Sequence, residues 1–231
     1  GMSAGARYAD ALNRDVRRIA NAFFCLYLLP GTPVIYYGTE LGASNQWTQM
    51  ERRQEEQFQT LQQLLGTGHS ISFADCCDPR ELQRGPIPAQ QFYEAVQQNF
   101  PIPELLGQLN FLRKHYPALR SNRMVPIDTY DERLLAILRF PEERSKQEDH
   151  PFLGLSHLSE QTLKASMVFA QLQELLACQG LTLVERLFLK GESPLVAQVV
   201  VRSYQFDPGT PDRLEIALPP YSALLFELIP D

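Results

Sequence analysis

Residues Pro30-Gly31-Thr32-Pro33-Val34-Ile35-Tyr36-Tyr37-Gly38-Thr39-Glu40-Leu41-Gly42 set a short apolar run between glycine and proline breakers and end it in two tyrosines and a carboxylate. Val34 to Tyr37 carries no polar alternation, which predicts a strand buried on both faces, as in a parallel sheet. Working back from it, Leu12, Val16, Ile19, Ala20, Phe23, Phe24 and Tyr27 recur three and four apart. That spacing predicts an amphipathic helix over Asp10 to Leu29, with Arg14, Asp15, Arg17 and Arg18 facing away and Pro30-Gly31 ending it. A helix, a tight turn and a buried strand make half of an α/β repeat.

Downstream, Gln46 to Gln63 is rich in Gln and Glu with a thin apolar stripe at Phe58, Leu61, Leu64 and Leu65, which predicts a partly helical, exposed excursion. Gly66 to Pro88 reads as loop by composition. Phe92 to Val96 is short and helical, and Pro101 to Pro103 breaks the chain. Glu104 to His115 places Leu105, Leu106, Leu109 and Leu112 on one helical face, and Tyr116-Pro117 stops it. From about Ser121 the texture changes to short apolar or alternating runs: Leu134–Phe140, Phe152–Leu158, Leu163–Phe169, Leu181–Leu189, Leu195–Phe206, Leu214–Leu218 and Ala223–Ile229. Turn-rich pieces separate them, the pattern of an antiparallel sandwich. Gln171 to Cys178 reads as a helical turn. The boundary falls near Leu119 to Pro126, so the fold class expected is α+β, divided at 1–120 and 121–231.

The bulk properties exclude several function classes. The chain has 231 residues, 44% of them hydrophobic, enough for one large or two modest domains with a real core. Its formal net charge is -6 with no basic face, which argues against nucleic acid as a partner. The longest apolar-looking run, Ile19 to Tyr37, contains Asn21, Pro30, Gly31 and Pro33 and so is not a membrane span. No charged n-region followed by an apolar core starts the sequence, and Gly1 before Met2 reads as a tag remnant. Cys25, Cys76, Cys77 and Cys178 lack zinc-knuckle spacing and read as reduced and structural, as in a cytoplasmic protein. His69, His115, His150 and His157 show no ligand spacing, so no metal and no cofactor is expected.

Four pieces, in order, resemble the C-terminal part of the α-amylase superfamily, glycoside hydrolase family 13. The first is the helix with Gly31 to Gly42, which resembles the surroundings of the eighth strand of a (β/α)8 barrel. The second is Asp78-Pro79-Arg80-Glu81-Leu82-Gln83-Arg84-Gly85-Pro86, similar to an Arg-Thr-Pro segment of α-glucosidase-like and trehalose-synthase-like members, with Gly85 in place of Thr. Leu112-Arg113-Lys114-His115-Tyr116-Pro117-Ala118-Leu119-Arg120 resembles the end of the last barrel helix. Leu134–Phe140, Phe152–Ser159 and Leu218–Leu225 resemble strands of the C-terminal β-sandwich domain, with His157 where an asparagine is usual. The resemblance implies the end of a barrel over 1–120 and a sandwich over 121–231. It also implies retaining chemistry on α-glucosidic bonds, with three acidic residues on strands four, five and seven.

None of those three acids has a match. Asn13-Arg14-Asp15 lacks the glycine of the nucleophile motif Gly-x-Arg-x-Asp, and no His is followed by Asp. Gly191-Glu192-Ser193 imitates the acid/base motif but lies in a turn of the sandwich portion. No catalytic residue is therefore expected, and the chain reads as inactive alone. The weak candidates for sugar contact, within a complete barrel, are Tyr37, Glu40 and Arg84, at the C-terminal end of the expected strand, where barrel sites are built. The plainer reading of Tyr36, Tyr37 and Glu40 is packing of the barrel top, and the favoured one. Arg84 either contacts a sugar hydroxyl or anchors its loop to a carboxylate such as Asp78. Trp47 reads as a helix or loop core anchor ahead of a stacking platform. Asp75 and Asp78 show nothing that would raise a pKa. The partners implied are an α-glucan or oligosaccharide, and self-association or a complementary chain at the two open edges of a lone barrel strand. The alternative function is a non-catalytic carbohydrate-binding or partner-subunit module completing or regulating an amylase-like enzyme.

Overall fold

The computed structural model describes residues 6–66, 69–76, 78, 80–142, 149–178, 180–190, 197–198, 203–206 and 213–230. Gly1, Met2, Cys77 and the segments Gly191–Ser193 and Asp207–Thr210, expected as turns, lie outside them. Helices α1 to α7 are Tyr8–Ala11, Val16–Leu28, Trp47–Leu65, Glu81–Arg84, Ala89–Gln97, Ile102–His115 and Pro117–Arg120; α8, Phe169–Leu176, falls among the strands. The strands are β1 Met124–Ile127, β2 Leu134–Arg139, β3 Phe152–His157, β4 Leu163–Val168, β5 Leu181–Leu189, β6 Ala197–Gln198, β7 Ser203–Phe206, β8 Arg213–Leu218 and β9 Ala223–Pro230. The class is α+β as expected. The chain forms two compact units: residues 1–15 with 35–100, and residues 16–34 with 101–231. These interleave along the sequence.

Two expectations for residues 10–37 are corrected. Val34 to Tyr37 is not a strand: residues 32–36 take no regular structure, and Val34 is 83% exposed. A strand exists only through hydrogen bonds to neighbours, and none of the described residues pairs with this segment. The helix expected over Asp10 to Leu29 is broken between α1 and α2. Asn13 and Arg14 take left-handed φ of 57° and 56°, and the Arg14 N–H closes α1 on the Ala9 carbonyl at 2.7 Å. That six-to-one closure ends a helix.

The second unit is a two-layer sandwich. A seven-stranded antiparallel sheet runs β1-β2-β3-β9-β5-β6, with β7 also on β5, and β4 pairs with β8 in a second sheet. Period-two alternation sorts the side chains. Leu134, Ala136 and Leu138 of β2, Leu153 and Leu155 of β3, Leu224, Phe226 and Leu228 of β9, and Leu181 and Leu183 of β5 form the inner core. Leu163 and Ala165 of β4, Leu218 of β8, and Leu172 and Leu176 of α8 close it from the other side.

The opposite face of β3 carries Phe152, Gly154 and Ser156, which are also buried: α2 covers Gly154 and Ser156, and the Tyr116 ring lies 4.7 Å from that of Phe152. Ile19, Ala20, Phe23, Phe24, Tyr27 and Leu28 supply the covering stripe. A Cβ on Gly154 would meet both δ carbons of Leu28, so glycine sets how closely helix and strand approach. Asn21 is 2% exposed yet satisfied: its amide donates to the carbonyls of His157 at 2.8 Å and Ser222 at 3.1 Å, and its oxygen accepts from Ser156 Oγ. The Cys25 thiol adds a 3.1 Å contact to Ser156 Oγ, and burial pushes its pKa up. α6 packs beside α2, with Ile102, Leu105, Leu106, Leu109 and Leu112 buried.

Two arginines hold the end of α2. The last carbonyls of a helix have no partner inside it and carry its negative dipole end. Arg113 of α6 donates to the carbonyls of Tyr27 at 2.8 Å, Leu29 at 3.3 Å and Gly31 at 2.6 Å. Arg139 of β2, fully buried, donates to the carbonyls of Leu28 and Ser121. Burial, then the nearby Arg113, pushes the Arg139 pKa down to about 10.

In the first unit, α3 runs 19 residues with none buried, as its polar composition predicts, and forms a complete helix where a partial one is expected. Trp47 opens it 56% exposed, correcting the expectation of a core anchor.

Candidate functional site

Tyr37, Glu40 and Arg84 all lie in the first unit, around a cation that the sequence reading missed. The side chain of Arg7, 3% exposed, donates from Nη1 to the Tyr37 carbonyl and from Nη2 to the Gln83 carbonyl, both at 2.7 Å. Its guanidinium lies 4.9 Å from the Tyr37 ring centre and 5.6 Å from that of Tyr36, within cation–π range. The two rings are 4.7 Å apart. The Arg7 N–H reaches Asn45 Oδ1 at 2.6 Å, and the Asn45 N–H reaches Asp10, so α1 and the 38–45 turn are tied to the same point.

Local backbone chemistry fixes this arrangement. Gly38 has φ of 81°, and a Cβ there would strike Ile87 and come within 3.0 Å of Ala43 and Arg7. Only glycine meets both demands. The Tyr37 hydroxyl donates to the carbonyls of Gln83 at 3.1 Å and Gly85 at 2.9 Å, fastening the 83–85 segment beneath the ring. Burial first, then the adjacent Tyr37, pushes the Tyr36 hydroxyl pKa up.

Arg84 pairs with Asp78 and with Glu81, each at 3.3 Å. Asp78 also takes Arg80 at 2.8 Å. Hydrogen bonds from the Arg80 side chain, then from its backbone N–H, hold the Asp78 carboxyl at about 2. It is an anion throughout the working range and cannot deliver a proton as a general acid. Glu40 sits half-buried in the 3₁₀ turn Thr39–Leu41, and its side chain makes no hydrogen bond or ion pair among the described residues. Tyr37 and Arg84 are thus brought together around one loop, and Glu40 stands in the turn beside Tyr37. No pair of carboxylates in this cluster is set as acid and nucleophile: Asp78 and Glu81 are both taken by arginines.

A second charged cluster lies in the second unit. Register between β5 and β9 shifts between Glu185 and Leu187, which leaves Arg186 as the extra residue of a bulge. The bulge turns its guanidinium onto Glu227 of β9, with Nε at 2.6 Å, and His150 Nδ1 meets the other carboxylate oxygen at 2.7 Å. Both oxygens are occupied, so the cluster ties β5 and β9 to the segment leading into β3. No group of three or more His, Cys, Asp or Glu able to hold a metal occurs among the described residues. Nor is any described helix long and apolar enough to cross a membrane.

Arg7 escaped the sequence reading because nothing in a lone arginine ahead of a short helix marks it as buried. The paired tyrosines were the only trace of it.

No family model matches the chain, and no curated protein matches it. Solved structures do. A trehalulose synthase variant in complex with Tris superposes with a TM-score of 0.55 at 14% identity, over 98% of this chain and 42% of that one. The trehalose-6-phosphate hydrolase of Bacillus licheniformis gives 0.52 at 16%, over 96% and 41%. The isomaltulose synthase of Protaminobacter rubrum gives 0.52 at 18%, over 96% and 41%. The chain therefore shares the fold of part of these enzymes and spans about 40% of their length.

Proposed function

We propose that this chain is a carbohydrate-metabolism protein of α-amylase-superfamily type, corresponding to the C-terminal portion of a retaining α-glucoside hydrolase or glucosyltransferase and inactive by itself. The observation that carries the reading is the state of the carboxylates beside Tyr37. Asp78 and Glu81 are locked by Arg80 and Arg84, and the motifs for nucleophile, acid/base and third acid have no counterpart in the sequence. Within a complete barrel, Tyr37, Glu40 and Arg84 would border the sugar, Arg84 after exchanging a carboxylate for a hydroxyl. Residues 1–120 then correspond to the end of the barrel and 121–231 to the sandwich domain, in a cytoplasmic protein. The test is incubation with p-nitrophenyl α-glucoside and with maltooligosaccharides. No release of nitrophenol or glucose is expected, and steady turnover proportional to protein concentration would refute the reading.

A second reading, a module that completes or regulates an amylase-like enzyme by pairing with a complementary chain or with itself, draws on the unpaired 32–36 segment and the exposure of Val34. Exposed apolar backbone without cross-strand partners invites pairing. A monomeric mass by light scattering at all concentrations would count against self-association.

A further inference from the structure

A trough of about 450 Å³ lies along α3 against the turn Phe73–Cys76, lined by Arg53, Glu56, Gln57, Thr60, Leu61 and Cys76. Its volume falls in the range of small-molecule sites, roughly 300–1,000 Å³. Five of the six lining residues stand three and four apart on one face of α3, so a guanidinium, a carboxylate, an amide and a hydroxyl follow one another along a single wall and end on an apolar leucine. Cys76, 4% exposed, closes the other side. Next to the trough, Phe73 is 43% exposed and is held edge-on by Phe58 at 5.4 Å.

The lining chooses among ligand classes. One arginine and one glutamate cancel, so neither an anion nor a cation is selected, and a phosphate would face Glu56. Gln57 both donates and accepts, Thr60, whose proton goes to the Glu56 carbonyl at 2.7 Å, accepts, Arg53 donates and Glu56 accepts. Alternating donors and acceptors beside an apolar surface match a neutral polyol whose ring has a hydroxyl rim and C–H faces.

We propose that this trough is a binding site for a short α-glucan, distinct from the Tyr37–Arg84 cluster. The polyol class comes from the lining; the choice of glucose units rests on the carbohydrate reading above. The site holds sugar without cleaving it, since Glu56 is drawn to Arg52 and Arg53 and no second carboxylate lines the trough among the described residues.

The experiment is titration of the full chain with maltotriose by calorimetry, alongside Arg53→Ala, Gln57→Ala and, as a control outside both clusters, Arg120→Ala. The substituted side chains are exposed, so folding is retained and is checked by circular dichroism. Saturable binding weakened about tenfold by Arg53→Ala and by Gln57→Ala, each removing a ligand hydrogen bond, and unchanged by Arg120→Ala supports the site. Absence of saturable binding overturns it, as does binding that survives both trough substitutions. Glucose release during the titration would sink the reading under Proposed function, and the variant affinities still decide the trough.

Discussion

Replacing Arg113 by methionine tests the claim that arginines cap α2 from outside it. Three carbonyls lose donors: Tyr27, Leu29 and Gly31. Leu29 and Gly31 are exposed residues and can turn to water, so their loss costs little. The Tyr27 carbonyl lies in a buried hydrogen bond, and orphaning it costs about 1–3 kcal/mol. Removing a cation from the negative end of the helix adds roughly 0.3–1 kcal/mol. Methionine fills most of the volume against Leu109 and Leu112 and removes the burial penalty that depresses the Arg113 pKa, which offsets part of the loss. The net expectation is a destabilisation of about 2–3 kcal/mol, or roughly 4–12 °C for a chain of this size. Arg113→Lys keeps the charge but one ammonium cannot span three carbonyls, so it recovers about half. Arg120→Ala, an exposed control on the neighbouring helix, stays within about 0.5 kcal/mol of the parent. Calorimetry is the right assay, because the single tryptophan, Trp47, lies in the first unit and reports poorly on the second. A loss below about 1 kcal/mol for both methionine and lysine would refute the capping argument.

Gly154→Ala should destabilise by about 2 kcal/mol through overpacking against Leu28, and the same change on a Leu28→Ala background should cost clearly less, a coupling visible in a urea double-mutant cycle. Hydrogen bonds from the Arg133 side chain, then its backbone N–H, hold the Asp131 carboxyl at about 2, below its ordinary 3.8. A depressed folded-state value means stability present above about 3.8 and lost as pH falls toward 2, so Asp131→Asn should lower the Tm slightly at neutral pH and flatten the acid limb over that window, the two profiles converging near pH 2. Tyr37→Phe removes two hydrogen bonds to the 83–85 segment and should cost about 0.5–1.5 kcal/mol; a Tm equal to the parent would show that water replaces the hydroxyl without loss.

Local pattern made the helices and most strands legible. The leucines of Glu104–His115 and the alternation of Ala223–Ile229 declare period and length within a few residues, and both elements formed. What failed to show depends on distant partners. Val34 to Tyr37 has a strand's composition, but pairing is a property of two segments, and its second is not among the described residues. The break at Asn13 and Arg14 was hidden by a continuous apolar stripe, since a left-handed turn changes direction without changing hydrophobicity. The site was half legible: Tyr37, Arg84 and Asp78 carry a family pattern, whereas Arg7 gives no local sign that it is buried among carbonyls and rings. The trough was invisible because an exposed polar helix reads as a solvated face until a turn is laid against it.

The helix that leads into the expected barrel strand belongs, energetically, to the sandwich. β3 is buried at all six of its residues, and alternation allows only half of them to face the inner core. The other half needs a cover, and α2 supplies it: Leu28 over Gly154, Asn21 and Cys25 on Ser156, and Arg139 reaching across to the Leu28 carbonyl. Each of these contacts would leave a buried polar group or a cavity on the sheet if α2 were removed. Deletion of residues 1–15 should therefore leave the second unit folded, whereas deletion through residue 34 should unfold the sheet. The measurement is the far-ultraviolet spectrum and calorimetric transition of each truncated chain. A cooperative sheet transition surviving the longer deletion would show that α2 merely rests on the sandwich and that its buried asparagine and arginine contacts contribute nothing to it.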